Sequence, residues 1–504
     1  LCLSLLRQPL TLTPMLSCFS KENNFSKLYV VVAVALFASA HLLLLGGPAF
    51  RLDDAYIVLN NSDALLHGDK NFPDARPLLG STSLIHTLAV TALSVVLSPE
   101  LALWVSAWAS VLVLMLGVLH LCLHLQLSSL TTTLLVVVSV TTGDLFRVHL
   151  NGLETGLMMA TTLWALVLLH IGTRPVSLAA LAAALPFIRP ELGLLSLVVM
   201  ICLWGDLKHD AQNRKLIQII FILLASFLLS LQVILSGSAL PSTGSAKAHF
   251  FGLYPFDQAL IMHRGIQIIS GLAMDGAAIP LLALGMICGR TTLIATGFGV
   301  ITSCLILGAY SEIADQNYFR YLYFVIPMGL FNLTVALSTP RLQKVGSVFL
   351  WAAIAINLVL ATFTWPRALQ EVRTKAVSLA ATARWIDENL HAEDTLMLHD
   401  VGFVSFATDQ VLFDIVGLKS PYAQTIVEDY AFQKGLPGLQ RALSKMVVQS
   451  KACYFLASNS WNDTFNMTEL LIQDGWRLEP HPSGSPPNHV LFQIVAAEVQ
   501  PTWE

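Results

Sequence analysis

The sequence predicts a polytopic α-helical membrane protein that carries a C-terminal soluble α/β domain. Of its 504 residues, 55% are apolar and only 12% charged, against roughly 25% charged in an average soluble domain. Apolar runs approaching the ~20 residues that carry a helix across a bilayer core of about 30 Å recur throughout residues 28–369. Charge is segregated as well: of 28 Lys and Arg and 32 Asp and Glu, 25 fall in residues 370–504. An ordinary soluble enzyme is excluded. A net charge of −4 offers no basic surface for nucleic acid. The seven cysteines show no CxxC and no metal-ligand spacing, so neither a disulfide framework nor a zinc site is expected.

In chain order, residues 1–27 read as a cytoplasmic lead-in without a cleavage site. About eleven spans follow, at 28–47, 101–124, 130–146, 152–171, 176–188, 190–204, 216–236, 266–288, 291–310, 320–338 and 345–364. The two around Pro190 are short for full crossings. Loops carrying Arg174, Lys208, Arg214, Lys215, Arg290, Arg341 and Lys344 all fall on one side if residues 82–97 form a surface helix and do not cross. The positive-inside rule makes that side cytoplasmic. The other side then receives the loop 48–100, with its surface helices, and the whole of 370–504. In this last region a helix is expected over 373–390, followed by strands at 395–399, 411–413, 452–456 and 490–495 with helices between. That alternation indicates a parallel or mixed sheet.

Ionisable residues at membrane depth are costly and mark candidate sites. Asp53 and Asp54 arrive just after the first span. Such a pair could hold a divalent cation (Mg, Mn or Ca) through oxygen ligands, or one member could take a proton from a hydroxyl. Asp53 equally suits a helix start, with Arg51 as its neutralising neighbour. Glu154 opens the fourth span, where an acid is favoured by the helix dipole. Arg189-Pro190-Glu191 interrupts two apolar half-length helices, either as a self-neutralising ion pair or as a ligand contact. Lys247 follows Leu240-Pro241, and Arg320 opens the tenth span after the acidic loop 312–315. Both suit a lipid-linked phosphate, and both equally suit snorkelling to ordinary head groups.

Taken together, Asp53-Asp54-Ala55-Tyr56-Ile57, Gly80-Ser81-Thr82-Ser83, Gly152-Leu153-Glu154-Thr155, Arg189-Pro190-Glu191, Leu240-Pro241 with Lys247, and Phe319-Arg320-Tyr321-Leu322 carry a resemblance. So do Ala383-Arg384-Trp385-Ile386, His399-Asp400-Val401-Gly402 and Asp414-Ile415-Val416-Gly417-Leu418 in the C-terminal region. The chain resembles the GT-C superfamily of polytopic glycosyltransferases, and within it the bacterial, mycobacterial-type terminal arabinofuranosyltransferases. It departs from that pattern at Leu84, where Pro is usual, and at Ser242 and Gly244.

The resemblance implies an integral inner-membrane enzyme with a cytoplasmic N-terminus and a periplasmic or extracellular C-terminal domain. It would move a sugar, such as a pentofuranose, from a polyprenyl-phosphate carrier to a glycan or glycolipid acceptor in cell-envelope biosynthesis. Asp53 or Asp54 would be the base and Arg320, Lys247 and Arg189 the phosphate partners. Glu154, Glu191 and Tyr56 would shape the site, with Asp53 and Asp54 as the ligands if a cation is used. The competing readings are a transporter or flippase for lipid-linked saccharide and a non-catalytic, membrane-anchored glycan-binding scaffold.

Overall fold

The computed structural model describes residues 21–72, 75–142, 145–254, 258–309 and 319–495. Residues 1–20 of the expected lead-in and the acidic loop 312–315 lie outside the described residues. Helix α1 (Lys21–Leu45) is followed by two helices of the first long loop, α2 (Asp53–His67) and α3 (Leu84–Ser94). Then come α4 (Pro99–His124), α5 (Ser129–Thr141), α6 (Thr155–Ile171), α7 (Pro175–Ile188), α8 (Leu192–Asp206) and α9 (Ala211–Ser236). Helix α10 (Ser242–Phe251) precedes α11 (Gln258–Leu272), α12 (Ala278–Ala283), α13 (Arg290–Ala309), α14 (Val325–Ser338) and α15 (Gln343–Asn389).

Each of the eleven expected spans coincides with an apolar helical segment. Among the described residues, seven segments are long and apolar enough to cross a membrane, and α5 to α8 are shorter, at 17 residues or fewer. Ser98 and Ser128 mark two starts: their hydroxyls accept hydrogen bonds from Leu101 N and Thr131 N. The expected span 130–146 ends early, at Thr141, and the chain then makes a wide helical turn over Leu145–His149. Helix α3 has 11 residues, about 16 Å at 1.5 Å per residue, too short to cross. It lies across α2 and α4. At the opposite end of the bundle, Arg174, Asp206 and Leu207 line one small cavity and Arg290 pairs with Asp206. Three of the loops that the charge bias assigns to one side therefore meet.

Two expected segments, 345–364 and 373–390, form one 47-residue helix, α15, with Pro366 inside it. Pro removes a single ladder bond. The run after it, Arg367-Ala368-Leu369-Gln370-Glu371, is rich in helix formers, and Arg367 pairs with Glu371 one turn on, at 3.1 Å. From α15 the chain enters a five-stranded sheet with β1 (Leu396–Leu398), β2 (Leu412–Asp414), β3 (Tyr454–Ser458), β4 (Arg477–Pro480) and β5 (His489–Val495). The order is β2-β1-β3-β5-β4; β2, β1 and β3 run parallel, and β5 is antiparallel to both its neighbours. Strand β4, absent from the sequence expectation, carries Arg477, Glu479 and Pro480. Such composition conceals a strand yet is tolerated at a sheet edge.

The domain does not hang free. Its apolar core includes Ile57 and Phe72 from the first loop and Ala246 and Phe250 from α10. Helix α16 (Val401–Ala407) packs along α2. Helix α2 is consequently buried nearly all round, as a helix held between two bodies must be. Lys419, fully buried, pairs with Asp69 at 2.9 Å and donates to Asn61 Oδ1 at 2.7 Å.

In the bundle, Gly329 of α14 lies directly on α12: a Cβ there would sit 2.0 Å from the Pro280 carbonyl oxygen. Small residues permit such close helix contact in membranes. Gly329→Ala is expected to destabilise the detergent-purified protein by about 1–3 kcal/mol, the usual cost of overpacking, read as a fall in melting temperature with no change in helix content by circular dichroism.

Candidate active site

The first turn of α2 decides where its two acids point. Successive residues on a helix are about 100° apart, so Asp53 and Asp54 cannot share a face. The Asp53 carboxylate turns to the C-terminal domain and accepts hydrogen bonds from the backbone N–H groups of Gly402 (2.6 Å) and Phe403 (2.8 Å) at the start of α16. Gly402 is required there, since a Cβ would lie 2.0 Å from the Asp53 carbonyl oxygen. Burial and the Asp400 carboxylate push Asp53 up to about 7, against the pull of those N–H groups. Tyr56 turns the same way: its ring meets Phe403 edge-on at 4.6 Å and packs near Phe50 and Phe406.

Asp54 faces a cavity of about 810 Å³. Its Oδ2 accepts from Lys247 Nζ at 2.8 Å and Arg320 Nη2 at 3.0 Å. Burial alone would raise this carboxyl; the two cations outweigh it and hold it down at about 2. Lys247 reaches the site from α10, which starts immediately after Pro241. Arg320 comes from a single 3₁₀ turn after Phe319, whose φ of 59° turns the chain sharply. Lys247 and Arg320 are both buried, so neither snorkels to a head group.

A second charged group shares the cavity. Arg189, at the break between α7 and α8, pairs with Glu154 at 3.3 Å and with Glu191. Glu154 is set by Gly152, which has φ of 80° and lies so close to α2 that a Cβ would be 2.7 Å from Ala55 Cβ. The Tyr321 ring centre lies 5.1 Å from the Arg189 guanidinium and 5.2 Å from that of Arg320. The wall also takes in the Gly80–Ser83 segment, where Ser81 bonds Thr87 and Thr82 bonds Thr243. Leu240 and Leu305, both largely exposed, border the cavity on the outer surface of the bundle.

The structure thus brings Asp54, Lys247, Arg320, Arg189, Glu154 and Glu191 to one cavity and leaves Asp53 and Tyr56 out of its lining. A cation shared by the twin acids would need both carboxylates on one side of α2. They lie on different sides, and each already has partners, so the pair does not fit a metal. Among the described residues no group of three or more His, Cys, Asp and Glu could hold one. Among the lining residues that the sequence reading did not name are Arg76, His86 and Thr302. These three carry no local signal; Tyr321 stood in the motif beside Arg320 without a role of its own.

A carboxyl raised by folding binds its proton more tightly in the folded chain. The Asp53 contribution to stability is therefore complete below about pH 4 and is lost as pH climbs through about 7. Thermal melts of the purified protein across that window should show this loss. Asp53→Asn should flatten the slope while lowering stability at the acidic end, because the amide offers one acceptor where the carboxyl offers two.

No curated protein matches the sequence. A family model described as a domain of unknown function, DUF8728, matches residues 367–493. Among solved structures, the chain is similar to ArnT from Cupriavidus metallidurans in the apo state, with TM-score 0.52 and 12% identity over 94% of this chain and 98% of that one. It is equally similar to the same protein bound to undecaprenyl phosphate, with TM-score 0.52 and 12% identity over 93% and 99% of the two chains. The archaeal oligosaccharyltransferase AglB from Archaeoglobus fulgidus, in complex with an inhibitory peptide and a dolichol-phosphate, matches with TM-score 0.42 and 10% identity over 95% and 75%. At 12% identity the ArnT likeness is one of fold: this chain is a polytopic helical membrane protein with an ArnT-like architecture and a small C-terminal domain built on a sheet.

Proposed function

We propose that this protein is a membrane glycosyltransferase that moves a sugar from a polyprenyl-phosphate carrier to a glycan or glycolipid acceptor. The observation that carries the reading is the cavity in which Asp54 meets Lys247 and Arg320 beside an apolar, outward-facing rim. A lipid-linked phosphate needs cations for its head and an apolar flank for its tail. The lining holds four cationic side chains, Arg76, Arg189, Lys247 and Arg320, against three acids, Asp54, Glu154 and Glu191. The surplus of one positive charge suits a phosphodiester, which carries one negative charge. ArnT shares the fold and was solved with undecaprenyl phosphate.

In this reading the donor phosphate takes Lys247 and Arg320 as partners. Asp54 then loses the two charges that depress it and recovers the basicity of an ordinary carboxylate. It accepts the proton of an acceptor hydroxyl as that oxygen bonds to the anomeric carbon and the sugar–phosphate bond breaks, both electrons leaving with the phosphate. Lys247 and Arg320 offset the charge on the departing phosphate. The bond energy comes from the carrier, so no nucleotide is consumed. Asp53 takes no part in the chemistry and clamps the C-terminal domain to α2. The motif resemblance favours a pentofuranose as the sugar. The charge bias favours a cavity on the periplasmic or extracellular side of the cytoplasmic membrane, with the N-terminus in the cytoplasm.

Purified protein supplied with radiolabelled polyprenyl-phosphoryl sugars should transfer label to an acceptor glycan. Asp54→Asn should lower turnover by about 10²- to 10⁴-fold, the range of a lost general base, with carrier binding retained. Retention of transfer within a few-fold by Asp54→Asn would remove the base assignment. Passage of lipid-linked saccharide between leaflets with no sugar consumed would establish a transporter instead. Arg320→Met and Lys247→Met should each weaken binding of undecaprenyl phosphate by roughly 10- to 100-fold, as expected for charged hydrogen bonds.

A further inference from the structure

The charged groups of the cavity are already engaged. Asp54 holds Lys247 and Arg320, and Arg189 holds Glu154 and Glu191. Arg76 Nη1 donates to the Val233 and Ile234 carbonyls at the end of α9. Two neutral side chains of the lining differ. His86 and Thr302 are each 2% exposed, and among the described residues neither His86 Nδ1 nor Thr302 Oγ1 has a hydrogen-bond partner.

Other buried atoms, such as the Thr155 and Thr162 hydroxyls, share this condition, but His86 and Thr302 line the cavity. A threonine within a helix commonly returns its hydroxyl to the carbonyl four residues back. Thr296, one and a half turns earlier on α13, does so with Thr292 O at 2.9 Å. Thr302 does not, and its hydroxyl stands in a segment at membrane depth, where water is scarce. His86 sits in the first turn of α3. Its backbone N–H is satisfied by Ser83 Oγ at 3.2 Å, while the ring nitrogen is left over. Buried polar atoms are nearly always bonded in native proteins, so each that is not calls for an occupant.

The chemistry of the pair limits that occupant. A hydroxyl and an imidazole nitrogen can each donate or accept, and neither is charged at neutral pH in such a buried setting. A sugar hydroxyl can bond either of them as donor or acceptor, whereas phosphate and carboxylate oxygens only accept and are better served by the cations Lys247 and Arg320. We infer that His86 and Thr302 form a saccharide-holding wall of the cavity, binding ring hydroxyls of the donor sugar while its phosphate engages Lys247 and Arg320. This deepens the glycosyltransferase reading and rests on it. The two side chains are positioning residues that decide which sugar is accepted, because a site built to bond a hydroxyl strongly disfavours an analogue lacking it.

The test measures binding to the full-length protein in nanodiscs of undecaprenyl phosphate alone and of undecaprenyl-phosphoryl donors bearing pentofuranosyl and hexopyranosyl sugars. At least one sugar-bearing donor should bind more tightly than the bare carrier. Thr302→Val and His86→Leu should each cut that sugar-dependent gain by about 3- to 10-fold, the effect of one lost hydrogen bond, and leave the affinity for undecaprenyl phosphate unchanged. Thr302→Ser, which keeps the hydroxyl, should retain the gain. The inference is overturned if no sugar adds affinity to the carrier, if the gain survives both substitutions because only water occupies the wall, or if the variants weaken bare carrier equally. Failure of undecaprenyl phosphate itself to bind the unaltered protein would instead bring down the glycosyltransferase reading, and this inference with it.

Discussion

A single atom, Asp54 Oδ2, ties together segments 193 and 266 residues away along the chain. Everything at the site follows from making that contact possible. Helix α2 must begin at residue 53 so that its second residue, rather than its first, faces the bundle. Helix α10 must start at Ser242 so that Lys247 arrives one turn and a half in, and the chain must turn at Phe319 to present Arg320. Ion pairs out of water are costly to assemble unless both partners are satisfied. Here one carboxylate serves two cations, leaving a positive surplus that an arriving anion can use. The resting site is thus held closed on itself by the same charges that would receive an anion.

The division of labour between the twin acids comes from helix geometry. Asp53 and Asp54 have the same chemistry and adjacent positions, yet one carboxyl is raised to about 7 and the other held at about 2. The difference is their neighbours: an acid and two backbone N–H groups for the first, two cations for the second. One residue of offset converts a pair that looks interchangeable into an anchor for the C-terminal domain and a charged wall of the cavity.

Much of the architecture was legible in the sequence because apolar runs of membrane length and cationic loops are strong, local signals. Each expected span has its helix, and four of the five strands lie where β-rich runs fall. Six of the seven charged residues that line the cavity were legible as well, since buried charge in an apolar chain is conspicuous; Arg76 was not. What could not be read arose from three-dimensional context. The split of Asp53 from Asp54 was available in principle from the spacing of successive helix residues, but required knowing that the helix starts at 53. Tyr56, which the motif placed near the site, is drawn to Phe403 by a domain more than 300 residues away. His86 and Thr302 stand out only because their neighbours fail to bond them, and no local pattern announces that. Strand β4 was hidden by its own charges, and the unity of α15 by Pro366.

That unity has a mechanical consequence. A helix of 47 residues extends about 70 Å and forms one continuous shaft, with one end among the membrane helices and the other leading to β1. Near its lower half Asn357 is locked in place, donating to Thr142 Oγ1 at 2.8 Å and leaving room opposite only for Gly276, whose absent Cβ would be 2.5 Å from Asn357 Oδ1. The C-terminal domain therefore cannot rock on its seat without twisting or bending this shaft and loading that contact. Any lifting of the cap would be felt within the bilayer as torque, which makes access to the cavity and helix packing two ends of one lever.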